Sequence, residues 1–340
     1  MGHMDLMGRK TTNAISRRGM LAGGAGLALA AIAGCSNGGS TSSGSTTSSG
    51  SKLEKTSLTV ATVPAVTNMG MFIADKFGYF HEEGLDLTIK VVPTSTTAVD
   101  DQIHGSVDIT AGAYVSYIAD QAKSSGVVQW KVLNEGSISQ PGSQQVLVSS
   151  KSSIKKISDL KGKKIGANAL DNVGQLLVQS VMSENGISPD EYTVVAVAFP
   201  DMAGSLQNGS IDAGWFDEPF LTSAQMTIGA KTLFDTCQGA TTDFPMSGYM
   251  ATKSWAEKYP NTAAAFVRAV NKGQQLADSN RTDAQKTCES AIKGVTAEVA
   301  SALTFDSYPT GIDQTRLQRV SNVMKQFGLL TKQFDVSAMI

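Results

Sequence analysis

Residues 165–175, IGANALDNVGQ, join the end of a strand to the start of a helix through a loop of small residues. Asn168, Asp171 and Asn172 are residue types that cap helices, and residues 174–182 carry apolar side chains at helical spacing. A helix that begins at the end of a strand leaves unpaired backbone N–H groups pointing beyond that strand. The stretch therefore predicts a strand–loop–helix junction that can hold a polar ligand.

A second junction of the same design lies near the start of the globular part. Residues 58–62 predict a strand, residues 63–68 a loop and residues 69–77 a helix. Two such junctions in one chain indicate two lobes that present helix starts to a shared crevice.

Predicted strands alternate with predicted helices from Ser57 to Asp235. This alternation is typical of an α/β fold with parallel sheets and right-handed connections. Residues 107–110 and 210–214 repeat one pattern, a short strand after a helix ended by glycine, which supports two similarly wound lobes. From residue 261 onward the sequence predicts mainly helices.

The ligand site of such a fold is expected in the cleft between the lobes, because ligands bind beyond the carboxyl ends of parallel strands. We expect the first lobe to comprise residues 55–145 and 249–340, and the second residues 146–248. The chain is expected to cross between the lobes at residues 144–149 and 247–252. A hinge motion would then close the lobes over the ligand.

The charge distribution excludes a nucleic-acid partner. The 340-residue chain is 41% hydrophobic and 17% charged, with a net charge of −2. Residues before Cys35 contribute +3, from Arg9, Lys10, Arg17 and Arg18 against Asp5, which leaves −2 − 3 = −5 for the remainder. Nucleic-acid binding needs concentrated basic surface, and the remainder has no basic stripe.

Residues 1–35 have the three parts of an export signal: a basic region, an uncharged run and a box of small residues before Cys35. The box, IAGC, resembles the lipoprotein signal-peptidase site, which makes Cys35 the lipidated residue. Residues 16–21, SRRGML, resemble the twin-arginine export signal, with general secretion as the alternative. The uncharged run is too short for a membrane span, and residues 36–54, mostly Ser, Gly and Thr at the start, predict a flexible tether. We therefore expect a bacterial protein outside the cytoplasm, anchored by this lipid to the outer face of the cytoplasmic membrane.

Two further cysteines, Cys237 and Cys288, could pair in an oxidising compartment or remain buried free thiols. Neither has a nearby histidine in the sequence. Neither a metal nor a cofactor is expected.

Three motifs carry a resemblance to a known family. They are residues 74–86, ADKFGYFHEEGLD; residues 157–166, ISDLKGKKIG; and residues 208–213, NGSIDA, followed by FDEP at 216–219. Together they resemble the extracytoplasmic solute-binding proteins of ABC importers for nitrate, sulfonates and taurine, with their thiamine-precursor-binding relatives. The resemblance implies a two-lobed periplasmic-binding fold of the type II kind with two crossover segments. It also implies a monomer that binds a small solute and docks on a membrane permease driven by a cytoplasmic ATPase.

The candidate ligand-binding residues lie in the loops at the strand ends. They are Val66, Thr67, Asn68, Thr94, Ser95, Thr96, Gly112, Tyr114, Asn168, Asp171, Asn172, Asp201, Trp215 and Glu218. Their hydroxyl and amide groups, with helix-start N–H groups, can hold an anionic head such as a sulfonate. Tyr114 and Trp215 either stack on the ligand or pack between the lobes.

Acidic residues near the cleft indicate which class of solute is expected. Asp201, Asp217 and Glu218 near the cleft favour an amine-bearing solute, such as taurine or an aminopyrimidine, over nitrate. No arginine occurs in these loops, which argues against a bidentate anion clamp.

Two other functions compete with solute capture. A pyrimidine synthase on the same scaffold would need a reactive cluster of histidine and cysteine, but only His81 and His104 follow Cys35. A ligand sensor for a membrane receptor would need a signalling segment from a partner. The sequence therefore favours a non-catalytic binding protein.

Overall fold

The structure is a computed structural model that describes residues 52–124 and 127–340. The predicted signal peptide, the lipid on Cys35 and nearly all of the predicted tether lie outside these residues.

The described residues form ten strands and twelve α-helices. The strands are β1 (Ser57–Thr62), β2 (Asp86–Val91), β3 (Ile109–Ala113), β4 (Trp130–Ile138), β5 (Gln144–Val148), β6 (Lys164–Ala167), β7 (Thr193–Ala196), β8 (Ala213–Asp217), β9 (Lys231–Asp235) and β10 (Pro245–Thr252). The helices are α1 (Met69–Lys76), α2 (Tyr79–Glu82), α3 (Ser95–Ile103), α4 (Tyr114–Lys123), α5 (Val173–Glu184), α6 (Phe199–Asn208), α7 (Phe220–Ile228), α8 (Lys253–Lys258), α9 (Pro260–Ser279), α10 (Arg281–Ala291), α11 (Ala297–Ala302) and α12 (Gln314–Gln326).

Two five-stranded sheets organise these elements. The first sheet has the order β2-β1-β3-β10-β4, and the second has the order β7-β6-β8-β5-β9. β1 pairs in parallel with β2 and β3, as β6 does with β7 and β8. The predicted two-lobed α/β fold is confirmed.

The alternation of strands and helices predicted parallel sheets, and the structure adds one antiparallel strand to each sheet. β10 runs antiparallel to β3 and β4, and β5 runs antiparallel to β8 and β9. Both strands follow directly from the other sheet, with no α-helix among the described residues of the connection to restore the parallel direction.

The chain passes from the first sheet to the second between Ile138 and Gln144, and returns between Asp235 and Pro245. The segments predicted as crossings, 144–149 and 247–252, overlap β5 and β10, the strands that directly follow each passage. The lobe boundaries after residues 145 and 248 stay a prediction.

The central strands explain where the core lies. β3 and β8 are buried along their whole length, as expected for strands covered on both faces. The edge strand β2 is largely exposed. Behind the first sheet, α9 approaches α1 closely: a Cβ at Gly273 would lie only 2.0 Å from the Gly70 carbonyl oxygen.

The helical tail ties the two sheets together. On α12, Arg316 forms a two-point ion pair with Glu135 of β4 at 2.8 and 3.0 Å. Arg319, one turn further, donates to the backbone carbonyls of Ala240 and Asp243 in the second passage. The tail therefore contacts both a strand of the first sheet and the returning chain.

Two other properties follow from the described residues. Cys237 and Cys288 are both free and buried, so the free-thiol alternative holds. Every helix within residues 52–124 and 127–340 is too short or too polar to cross a membrane.

Candidate functional site

A buried cavity, here called the inner cavity, lies between the strand ends of the two sheets. The centre of a water-sized sphere can occupy about 30 Å³ of it. Its wall consists of Val63, Ala65, Thr67, Asn68, Ser95, Gly112, Ala113, Asn168, Val173, Phe199, Trp215, Asp217, Met246 and Ser247. A solute can enter this enclosed space only if the sheets move apart.

Two asparagines give the inner cavity hydrogen-bond acceptors. Asn68 is 1% exposed, and its Nδ2 donates to the Val63 carbonyl at 3.0 Å, which fixes the amide orientation. Asn168, from the loop after β6, is 7% exposed. The Oδ1 atoms of both residues have no partner among the described residues. Because buried polar atoms are rarely left unpaired, both acceptors are suited to N–H donors of a ligand.

Hydroxyl groups fix the backbone around these asparagines. Ser95 Oγ accepts a hydrogen bond from the Ala113 N–H at 2.9 Å, and Ser247 Oγ donates to the Thr67 carbonyl at 2.7 Å. Asn172 caps α5 by accepting from the Val173 N–H. These bonds position the loops, and the Ser95 hydroxyl, which here only accepts, can still donate to a ligand.

Aromatic rings form one wall of the inner cavity. Trp215 of β8 is fully buried, and its Nε1 donates to Thr236 Oγ1 at 3.4 Å. The Phe199 ring lies 5.7 Å from the Trp215 ring and is tilted by 37°. α5 packs directly on the indole, because a Cβ at Gly174 would lie 2.5 Å from Trp215 Cε3. This wall is suited to a flat or methylene-rich ligand.

Asp217 supplies a carboxyl group to the wall. Its Oδ1 accepts from Gln144 Nε2 at 3.0 Å, and the same Nε2 donates to Asp306 Oδ1 at 3.1 Å. Asp306 also accepts from Ser137 Oγ at 2.8 Å. No lysine or arginine stands among the described residues of the wall.

The environment of this carboxyl pair favours the protonated forms. Burial, followed by the charge of Asp306, raises the pKa of Asp217 well above its usual value. Burial raises the pKa of Asp306 to about 6. A ligand that brings a cation or an N–H donor to Asp217 would stabilise its charged form.

Glu218, the neighbour of Asp217, faces away from the inner cavity. Its carboxylate accepts from the Thr222 N–H at 3.1 Å, the Thr222 hydroxyl at 2.6 Å and the Thr304 N–H at 3.2 Å. Burial raises its pKa to about 7. Its backbone carbonyl accepts from the Val66 N–H at 3.0 Å, so Glu218 links the second sheet to the loop after β1.

The structure brings six of the fourteen candidate residues together in the wall. They are Thr67, Asn68, Ser95, Gly112, Asn168 and Trp215. Val66, Asn172 and Glu218 instead make the backbone, capping and linking contacts described above.

The other candidates lie elsewhere. Thr94 caps α3 by accepting from the Thr97 N–H at 3.1 Å. Tyr114 is buried against Gly248 of β10. The two are packed so closely that a Cβ on Gly248 would overlap the Tyr114 ring. Thr96 and Asp171 line a separate surface pocket, and Asp201 is exposed in the first turn of α6.

Sequence reasoning missed several wall residues, among them Phe199, Met246 and Ser247. Phe199 begins α6, and Pro200 directly after it marks a helix start. That signal could have placed Phe199 at the strand end.

Two α/β lobes with their strand ends turned to one buried cavity define the architecture of the periplasmic binding proteins. The profile of the NMT1/THI5-like family matches residues 66–284, and the chain belongs to this family.

Three similar proteins illustrate what the chain resembles. The chain is 28% identical over 152 residues to the 4-amino-5-hydroxymethyl-2-methylpyrimidine phosphate synthase THI12 of Saccharomyces cerevisiae, covering 44% of this chain and 42% of that protein. It is 28% identical over 128 residues to a Bacillus subtilis protein named for binding aliphatic sulfonates, covering 37% of each. The matches span about two fifths of these curated relatives.

The third is a solved structure. The alkanesulfonate-binding protein SsuA from Xanthomonas axonopodis pv. citri, bound to MOPS, superposes with a TM-score of 0.71 at 17% identity. The superposition covers 84% of this chain and 98% of that one. At this identity, the likeness establishes the fold.

Proposed function

We propose that this protein is the solute-binding component of an ABC importer. It captures a small organic solute between its lobes and delivers it to a membrane permease driven by a cytoplasmic ATPase. The observation that carries the proposal is the inner cavity, which joins the strand ends of both sheets and holds unpartnered buried acceptors. Its enclosure suits capture by closure of the lobes and release by their opening.

The wall favours a solute that donates N–H groups. Asn68 and Asn168 offer acceptors and Asp217 offers a carboxyl group, while no cation stands among the described wall residues. The amine of a solute such as taurine can donate to these groups, and the Ser95 hydroxyl can donate to its sulfonate, whereas nitrate has no N–H to offer. The aromatic wall at Trp215 and Phe199 supports a second candidate, an aminopyrimidine or another flat aromatic solute.

A catalytic role has less support. His81 is exposed, with Nδ1 3.7 Å from Asp86, and the exposed His104 Nδ1 lies 2.7 Å from the Asp100 carbonyl oxygen. Neither histidine lines the inner cavity. The synthase named among the relatives therefore has no matching histidine–cysteine cluster in this wall.

We further propose that the protein acts as a monomer outside the cytoplasm, held to the membrane by lipid on Cys35. The signal-like residues before Cys35 support this location, and the paired arginines favour the twin-arginine route. Mass spectrometry of the protein from bacterial membranes tests it: a diacylglyceryl group on Cys35 is expected, and an unmodified Cys35 would contradict the anchor.

The ligand test combines native mass spectrometry with calorimetric titration of taurine, ethanesulfonate, nitrate and 4-amino-5-hydroxymethyl-2-methylpyrimidine. One bound solute per chain without turnover is expected. Asp217→Asn should lower the affinity for the amine-bearing solute by at least about tenfold, because hydrogen bonds to charged groups contribute about 1.5–3 kcal/mol. The matched variant Asp201→Asn, on the exposed face of α6, should bind as the wild type does.

Two outcomes would overturn the proposal. Chemical conversion of any solute would exclude passive capture. Equal affinity of the Asp217→Asn variant and the wild type for the solute would remove the role of that carboxyl group.

A further inference from the structure

A second and larger cavity, here called the outer pocket, lies on the other side of Phe199 from the inner cavity. The centre of a water-sized sphere can occupy about 740 Å³ of it, compared with about 30 Å³ of the inner cavity. Phe199 belongs to the walls of both. A space of this size falls in the range of sites for small organic ligands.

Aromatic rings line the boundary between the two cavities. The Phe199 ring stacks on the Phe220 ring with centroids 5.1 Å apart and planes 7° apart. On its other side, Phe199 contacts Trp215 of the inner cavity. Phe199 is therefore held from both sides, which gives the outer pocket a fixed apolar floor.

Apolar groups from both lobes form the rest of the outer pocket. Pro64 follows β1 and Val91 ends β2 in the first sheet, Ile292 follows α10, and Phe220 begins α7 beside the second sheet. Val91 is 55% exposed, so its side chain is open to solvent beside these apolar groups. Covering this surface with an apolar ligand would release water from it.

The charge at the rim specifies the ligand further. Of the described residues that line the outer pocket, Lys293 alone carries a charge, and it is exposed. An ammonium group at the edge of an apolar pocket attracts a carboxylate or sulfonate whose apolar body enters the pocket.

We infer that the outer pocket is a binding site for an organic anion with an apolar aliphatic or aromatic body. The body packs on Phe199, Phe220 and Val91, and the anionic group meets Lys293. The inference concerns this pocket alone and stands whether or not the inner cavity binds a solute.

The first experiment titrates the protein with 1-anilinonaphthalene-8-sulfonate and follows its fluorescence. One saturable site is expected. Ala203→Trp and Ser223→Phe each place a ring in the pocket from α6 and α7, and each should weaken binding by at least about tenfold. Gln207→Trp, on the exposed side of α6, is the matched control and should leave the affinity unchanged.

The second experiment tests the charge by calorimetry. Naphthalene-2-sulfonate should bind more tightly than naphthalen-2-ylmethylammonium. Lys293→Gln should lower the affinity for the sulfonate by up to about fivefold, which is the effect expected of an exposed ion pair. Lys286→Gln, also exposed and on α10, should leave the affinity unchanged.

The named outcomes decide the inference. Wild-type affinity in a folded Ala203→Trp or Ser223→Phe variant would exclude the pocket. Equal or tighter binding of the ammonium probe would overturn the choice of an anion. Thermal unfolding of each variant shows that it is folded before it is titrated.

Discussion

The carboxyl group of Glu218 should make the stability of the fold depend on pH. It is 1% exposed and burial raises its pKa from 4.5 to about 7. The folded protein therefore binds this proton more tightly than the unfolded chain does. The contribution of Glu218 to the free energy of unfolding should be highest below pH 4.5 and should be lost as the pH rises through about 7.

The size of this effect follows from the two pKa values. Each unit of difference corresponds to about 1.4 kcal/mol, so the full effect of raising the pKa from 4.5 to about 7 is about 3.5 kcal/mol. Between about pH 5 and about pH 8, the loss from Glu218 alone is about 2.5 kcal/mol. Glu218→Gln removes the titrating group, so the fall in its free energy of unfolding should be smaller than in the wild type by about this amount.

Urea unfolding followed by circular dichroism at both pH values measures the difference. Glu289→Gln is the matched control, because Glu289 is exposed on α10. That variant should keep the pH dependence of the wild type, since Asp217 and Asp306 remain in place in both. If Glu218→Gln also kept the full dependence, the burial of Glu218 would not be the cause and the reasoning would be refuted.

Two other substitutions test the packing and the tail. Gly174→Ala should lower the free energy of unfolding by about 1–3 kcal/mol, because its Cβ would meet the Trp215 ring at 2.5 Å. Gly204→Ala, on the open side of α6, should raise the free energy of unfolding by about 0.5–1 kcal/mol. Thermal melts of both variants check these values, and equal shifts in the melting temperature would contradict the contact between Gly174 and Trp215. Arg316→Met should lower the free energy of unfolding by about 3–5 kcal/mol, because Glu135 is 1% exposed and would keep a buried charge without its partner. A decrease below about 1 kcal/mol, measured by urea unfolding, would show that the ion pair contributes little to stability.

Local patterns in the sequence were sufficient to predict most of the elements. The strand predicted at 58–62 lies within β1, and the helix predicted at 69–77 matches α1 to within one residue. Alternating strands and helices gave the fold class, because helical and strand spacing differ locally. The direction of β5 and β10 could not be predicted, since the pattern of a buried strand is the same in either direction.

The site shows a second limit of sequence reasoning. Asp217 and Glu218 are adjacent, so at the end of an extended strand only one can face the inner cavity. The sequence predicted Glu218 as a ligand-binding residue, but the structure places Asp217 in the wall. The choice depends on the register of β8 against β5, where Asp217 pairs with Gln144, and this pairing cannot be read from either segment alone.

Tyr114 illustrates the same limit for an aromatic residue. It follows β3, as a ligand-stacking residue would, but its ring fills the space left by Gly248 on the neighbouring β10. Those two residues are far apart in the sequence, and no local pattern connects them. Asn68 and Asn168 could be predicted because their role depends only on their place at the junctions.

The strand that returns from the second sheet has a consequence for the order in which the chain can assemble. All five strands of the second sheet lie between Gln144 and Asp235 in one unbroken segment. The first sheet, by contrast, has β3 and β4 separated by β10, which is the last strand in the chain. A growing chain can thus complete the later sheet while the earlier one still has two unpaired strand edges. Until Pro245–Thr252 inserts between them, those edges are open to pairing with other chains.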